Sequence, residues 1–291
     1  MRSAYFAALA AFALSSCTTG PYQESISAFA KGVATSQSAL LKLDQLDREF
    51  ARQDQLVSSK EMLALSECEA GKGCAIAKLP APKSDVESPL LYMAKLVTYS
   101  NDLVTLAAAK DTDAITKASS QIDATATAAV KSFQDKIAQP AIIQGSLSLA
   151  GEVANLIIDD LRVQKLRDAI LKHRSAIEGV IDDIGAKAHD LQNEVVGRAS
   201  GLLASDIKLL NGDTALLDRT MLSHRIVRRI DALDQLAKTD ARAPFLALKK
   251  TYQKMVHVLQ TNGSFDDVAS ALQDFLTKAQ VLDAAVQTGD S

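Results

Sequence analysis

The sequence predicts an all-α protein, an elongated bundle of about seven or eight helices, several of them long and coiled-coil-like. Apolar residues recur at steps of three, four and seven along most of the 291 residues, the pattern of helices that each bury one stripe. Turn formers are scarce. With 13 Gly and 6 Pro, the chain has too few for a many-stranded sandwich or barrel, which needs a turn about every ten residues. There is no Trp, and aromatics make up only 4% of the chain. The 47% hydrophobic and 23% charged content excludes wholesale disorder, and the length allows one large domain or two small ones. A formal net charge of −3 argues against a dedicated nucleic-acid binder, which carries a basic excess.

Each helix follows from its own spacing. Ile26, Phe29, Val33, Leu40, Leu43, Leu46, Phe50 and Val57 form one stripe, which predicts a helix from Tyr22 to about Ser66, roughly 65 Å long. Residues 67–88 are irregular, with Pro80 and Pro82, and end at Ser88-Pro89. Ser before Pro is a helix start, because Pro fits the first turn without losing a needed hydrogen bond. The second helix then runs to about Ala109. After the turn Asp111-Thr112-Asp113, the stripe Ile115, Ala118, Ile122, Ala126, Ala129, Phe133 and Ile137 carries a third helix to Gln139. Its Ala, Ser and Thr content gives a thin face suited to close packing.

Pro140 restarts the chain. Residues 141–158 hold a single ionisable group, Glu152, with Gly145 and Gly151 inside, and read as a central, buried helix. The alternative for this stretch is insertion into a membrane or a partner. Asp159-Asp160 is a candidate break. Val163, Leu166, Ile170, His173, Ile177, Val180, Ile184, Leu191 and Val195 then keep helical phase, and the pattern weakens towards Leu210. Asn211-Gly212-Asp213 is a turn. The next helix reaches about Lys238. Another starts near Pro244 with Phe245, Leu248, Tyr252, Val256 and Leu259 on one side, and Asn262-Gly263 closes it. Ser264-Phe265-Asp266-Asp267 reads as an N-cap with acid in the first turn. From Phe265, the residues Val268, Leu272, Phe275, Ala279, Leu282 and Val286 alternate steps of three and four.

The N-terminus has a different character. Met1-Arg2-Ser3 is followed by the apolar run Ala4 to Leu14 and then Ser15-Ser16-Cys17. A basic start, a short apolar core and small residues before a break describe a secretory signal peptide. The run is too short for a permanent membrane span. Leu14-Ser15-Ser16-Cys17 resembles the lipobox of bacterial lipoproteins. That resemblance implies diacylglycerol on the Cys17 thiol, cleavage after Ser16 and acylation of the new amino terminus with a fatty acid such as palmitate. Several acyl chains on one residue give stable anchoring, whereas one alone binds marginally. By similarity with proteobacterial lipoproteins, Thr18 in place of Asp implies sorting to the outer membrane rather than the inner, facing the periplasm.

The expected organisation is therefore a cleaved signal over 1–16, lipidated Cys17 with a short tether over 17–21, and a helical body over 22–291. Removing Arg2 with the signal takes the formal net charge from −3 to −4. In an oxidising compartment, Cys68 and Cys74, separated by a stretch containing Gly71 and Gly73, are expected to form a loop disulfide. Their spacing lacks the two-residue separation of a redox pair, and two cysteines alone do not make a zinc site.

Catalytic signatures are missing from the sequence. His173, His189, His224 and His257 are scattered, with no Glu-x-x-His pair and no His-Glu-x-x-His. His173 lies on the apolar stripe and is expected to be a hydrogen-bonded packing residue. Ser205-Asp206-Ile207-Lys208 matches Ser-x-x-Lys but lacks the companion motifs. The acidic pairs Asp159-Asp160 and Asp182-Asp183 read as solvated helix faces. No cofactor and no metal are expected, and the chain reads as a non-enzyme.

Two basic runs remain. Arg162, Lys165, Arg167, Lys172 and Arg174 flank the Val163–Ile177 stripe, and Arg219, Arg225, Arg228 and Arg229 form a second cluster. Both are candidate contacts for an anionic surface, where each cation gains about 1 kcal/mol. The competing reading is cations bordering a buried stripe with their heads in water. Together these features predict a lipid-anchored envelope scaffold or partner-binding module, attached to the membrane through Cys17. The second expectation is a lipid-interacting protein that uses residues 141–158 and the basic-flanked helix 162–177.

Overall fold

The structure is a computed structural model that describes residues 21–58, 87–134, 158–212, 216–261 and 266–287. Seven helices account for nearly all of them: α1 (Pro21–Ser58), α2 (Glu87–Ala108), α3 (Thr112–Gln134), α4 (Ile158–Leu210), α5 (Leu216–Ala237), α6 (Ala243–Thr261) and α7 (Asp266–Gln287). There is no strand among the described residues, and the helices pack as one bundle. The starts expected at Ser88-Pro89 and Pro244 fall within the first turns of α2 and α6. Cys17, Cys68, Cys74, residues 141–157 and the expected extensions to Ser66 and Gln139 lie outside the described residues.

Cross-helix bonds fix the directions. Arg162 near the start of α4 donates to the Tyr22 hydroxyl at the start of α1, and Arg198 further along donates to Asp47, so α1 and α4 run parallel. Asp206 near the end of α4 meets Arg225 near the start of α5, while Gln192 meets the end of α5. Lys249 and Gln253 of α6 then reach Asp182 and Glu178, still further back along α4. Helices α5 and α6 therefore lie end to end, both antiparallel to α4. Helix α7 returns alongside α1, with Lys42 bonded to Asp283 at 2.6 Å.

The sequence stripes form the core. From Ile26 to Phe50 on α1, Ile115 to Ala129 on α3 and Val268 to Val286 on α7, the stripe residues in the described positions are buried. One residue departs. Val163 is exposed, and Leu161 is buried in its stead. The two sit about 200° apart on the helical wheel, on opposite flanks of the stripe, and neighbouring helices cover only the Leu161 flank. Helix α4 is described from Ile158 and includes Asp159-Asp160, while the stretch before it, which the candidate break would interrupt, lies outside the described residues. At that end of a helix the aligned peptide dipoles favour acidic residues.

Helix starts and connections are held by side chains. The Ala114 amide donates to Asp111 Oδ1 at 2.8 Å, which caps α3, and the Arg242 amide donates to Asp240 Oδ1 at 2.9 Å before α6. Gln192, buried in the middle of α4, clamps the α5–α6 connection. Its amide nitrogen donates to the carbonyls of Leu236 and Thr239, and its oxygen accepts the Ala241 amide at 2.9 Å.

Two tyrosines carry polar atoms into the core. The Tyr252 hydroxyl donates to the Ile170 carbonyl at 3.2 Å and lies 3.3 Å from the Tyr99 hydroxyl. Each phenol has one proton, so Tyr99 donates to Tyr252. Complete burial pushes both phenols above their ordinary range, which keeps them protonated as donors. Phe29 packs on Tyr252 with ring centroids 6.1 Å apart.

At Gly32 the Phe275 ring lies directly over the α1 backbone, and a Cβ there would come within 2.2 Å of its Cε1. Gly197 on α4 has nothing within 4 Å of that position. Gly32→Ala is expected to destabilise the bundle by about 1–3 kcal/mol through overpacking. Gly197→Ala is expected to stabilise it by about 0.5–1 kcal/mol through helix propensity. Urea unfolding followed by circular dichroism measures both, and equal effects of the two substitutions would contradict the packing described.

Candidate functional site

The two basic runs have different fates. In the first, Arg162 donates to the Tyr22 hydroxyl at 2.9 Å and to the Ala107 carbonyl at 3.4 Å, which ties α1, α2 and α4 together. Lys172 donates to Asp123 Oδ2 at 2.9 Å, and His173 Nε2 lies 3.0 Å from Asp123 Oδ1. An ionised carboxylate only accepts, so the His173 proton sits on Nε2. His173 is thus the buried, hydrogen-bonded packing residue that its place on the stripe implied. Arg174 bonds Glu178 one turn away at 2.8 Å. Lys165 and Arg167 are half-buried and have no ion pair among the described residues.

The second run converges on one acid. Arg225 grips Asp206 with two bonds, one of them Nε to Oδ2 at 3.0 Å. Arg229 donates to the same carboxylate and, through its other terminal nitrogen, to Gln53 Oε1 of α1. The Asp206 side chain is 4% exposed and that of Arg229 7%, whereas Arg225 remains 50% exposed. Burial lowers the Arg229 pKa against the pull of Asp206, yet a guanidinium stays charged in a protein. Arg219 donates to the Gly212 carbonyl at 3.2 Å. Arg228 is exposed, with no hydrogen bond or ion pair to a described residue.

Around this cluster the surface turns apolar. Ile207 and Leu209 at the end of α4, with Met221, Val227 and Ile230 on α5, are large exposed hydrophobic residues. A groove of about 610 Å³ runs along α5, bordered among the described residues by Met221, Leu222, His224, Arg225 and Arg228. His224 is exposed on α5, and the hydroxyl of Ser223 beside it donates to the Arg219 carbonyl at 2.8 Å. Among the described residues, no three His, Cys, Asp or Glu side chains are placed to hold a metal ion. His189 lies 3.7 Å from Asp240 on the far side of the α5–α6 connection, and His257 is exposed on α6.

Sequence reading picked out the four arginines but missed Asp206 and Gln53, and set Asp206 aside within a Ser-x-x-Lys match. A signal was present. Val195, Ala199, Leu202 and Asp206 step by four, three and four, which places an acid in a buried register position. A buried carboxylate needs a cation, and the arginine-rich helix follows directly in sequence. No family model matches the chain, and no curated protein or solved structure matches it either.

Two outcomes are expected. Asp206→Ala leaves Arg229 buried without its counter-charge and should cost about 3 kcal/mol or more in urea unfolding. Adding Arg229→Met should recover a good part of that loss. The second concerns pH. Burial raises the Asp123 pKa, but hydrogen bonds from Lys172 and His173 outweigh it and hold the carboxylate below its ordinary value. A folded value below the unfolded one means that Asp123 stabilises the fold above the usual carboxylate range and loses this as pH falls through the lowered value. Glu178 behaves alike: burial raises it, and bonds from Arg174 and Gln253 more than compensate. The melting midpoint should therefore drop as pH falls from about 6 to about 3. Asp123→Asn should flatten the drop by less than about 1 kcal/mol, since the pair is part-exposed.

Proposed function

We propose that this chain is a lipid-anchored, non-enzymatic lipoprotein of the bacterial cell envelope that binds a protein partner through its helical body. The observation that carries the reading is the lipobox-like Leu14-Ser15-Ser16-Cys17 behind a short apolar run. Geometry near the anchor fits it. Helix α1 starts at Pro21, four residues after Cys17, and four residues span at most about 14 Å. The first turn of α1 is tied into the bundle through Tyr22 and Arg162, so an anchor on Cys17 holds the whole body beside the membrane. No described helix is long and apolar enough to cross a membrane, and attachment in this reading rests on Cys17. Thr18 after the cysteine supports the outer membrane, periplasmic side, over the inner.

The second reading, a lipid-binding surface made of residues 141–158 and the helix 162–177, has less support. Arg162, Lys172 and Arg174 are engaged within the chain, which leaves Lys165 and Arg167 for a headgroup. The exposed apolar and basic residues gather instead at the other end of α4.

Cys17→Ala is the direct test. The variant should move from the membrane to the soluble fraction, lose metabolic labelling by an alkyne fatty acid and keep its helical circular dichroism. A variant that stays in the membrane fraction with unchanged labelling would overturn the anchor.

A further inference from the structure

We propose that the groove along α5 is the docking site for an acidic amphipathic helix of a protein partner. This deepens the partner-binding reading above and rests on it. The first observation is a one-sided arrangement. Met221, His224, Arg225 and Arg228 fall within about 100° of arc on α5 and line the groove together with Leu222. Apolar and cationic groups thus share one concave face, and no acid lines it among the described residues.

The second observation is charge. Asp206 is already shared by two guanidiniums, those of Arg225 and Arg229. Arg228 adds a further positive charge with no ion pair to a described residue. The face therefore carries a local positive excess on a chain whose formal net charge is −3. Its complement is an anion.

Third, Arg225 and Arg229 are fixed in place. Arg225 is held bidentate by Asp206, and Arg229 behind it is locked to Gln53 of α1. Little side-chain entropy is left to lose when a ligand arrives, which favours affinity. Guanidiniums pair with carboxylates through two parallel bonds, and every permanent cation on this face is an arginine. Arg225 and Arg228 stand one turn apart, the spacing that meets acids three or four residues apart on an incoming helix. Met221, 66% exposed, offers that helix an adaptable apolar contact. A bilayer presents a flat sheet of headgroups, whereas a groove bordered by residues of a single helix suits a second helix laid beside it, the mode in which helices bind through anchors at i, i+3, i+4 and i+7.

The test uses the purified full-length chain and two fluorescein-labelled helical peptides of about 18 residues. Both carry Leu at i, i+3, i+4 and i+7, with Glu on the flanks of one and Lys on the flanks of the other. The Glu peptide should give a saturable rise in anisotropy and the Lys peptide none. The double variant M221D/R228E should weaken the Glu peptide roughly tenfold or more, a loss of about 1.4 kcal/mol, with helical circular dichroism unchanged. Leu246→Asp, at another exposed apolar residue, on α6, should leave binding unaltered. Failure of the Glu peptide to bind, or equal effects of the two variants, overturns the proposal. So does binding to phosphatidylglycerol vesicles that M221D/R228E abolishes while the peptide stays unbound, which would assign the face to lipid. None of these readouts depends on acylation, so a failure here is separable from a failure of the Cys17→Ala test.

Discussion

The fold is organised by the need to cover one very long helix. Helix α4 has 53 residues and is about 80 Å long, with apolar residues along most of that length. Helices of 19 to 23 residues, such as α3, α5 and α6, reach only about 30–35 Å. No one of them can shield it. The chain solves this by laying α5 and α6 end to end along one side and running the 38-residue α1 parallel along another. Such a junction exposes backbone at the break, where two helices end and their carbonyls and amides lose intrahelical partners. Gln192 answers that at the junction itself, with both ends of its amide bonded to the backbone of the connection. One buried side chain in the middle of α4 thereby sets where α5 stops and α6 begins.

The two halves of α4 are stabilised differently as a result. Along the first half, α1, α2, α3, α6 and α7 supply a thick core centred on Phe29, Tyr99, Tyr252, Phe245 and Phe275. Even its polar chain, from Tyr99 through Tyr252 to the Ile170 carbonyl, is internally satisfied. Along the second half, α5 packs closely on α4 with little else outside it. Fewer neighbours mean less apolar surface to bury, and the seam there is built from charge: Asp47 with Arg198, then Asp206 with Arg225, Arg229 and Gln53. Buried ion pairs add modest net stability, but they specify a partner and a register more sharply than interchangeable aliphatic contacts do. Here they fix α5 in rotation and along its axis, which in turn fixes the direction its outer arginines face.

Helix identity was legible in the sequence because each amphipathic helix carries its own period. The stripes from Ile26 to Phe50 and from Val268 to Val286 could be read without knowing what lay opposite them. The misreading of Val163 shows the limit. Periodicity defines the centre of a stripe but not its width, and the width depends on which neighbour covers each flank. Gln192 illustrates a deeper limit. Nothing local distinguishes it from other glutamines, because its partners at Leu236, Thr239 and Ala241 lie more than forty residues away. Asp206 was readable in principle, as an acid in phase with Val195, Ala199 and Leu202. Recognising it required treating a break in apolar character as information about a partner rather than as the fading of a helix.

The same asymmetry is why the proposed docking face falls at the α4–α5 end. The thick part of the bundle exposes single large apolar residues, Leu41, Leu91, Leu246 and Val281, each on a different helix. Helix α5 is enclosed on one side only. Its inner face, through Leu222, Ile226, Ala232 and Leu236, is enough to hold it once the Asp206 cluster has set its rotation. The outer face is then free to carry Met221, Val227 and Ile230 at modest cost to the fold. Exposed side chains of that size are unremarkable when scattered singly, and of these three only Met221 shares the arc of Arg225 and Arg228, with Val227 about 120° and Ile230 about 180° further round the helix. The thick aromatic core lies along the first half of α4, and the proposed docking face lies along the charged second half.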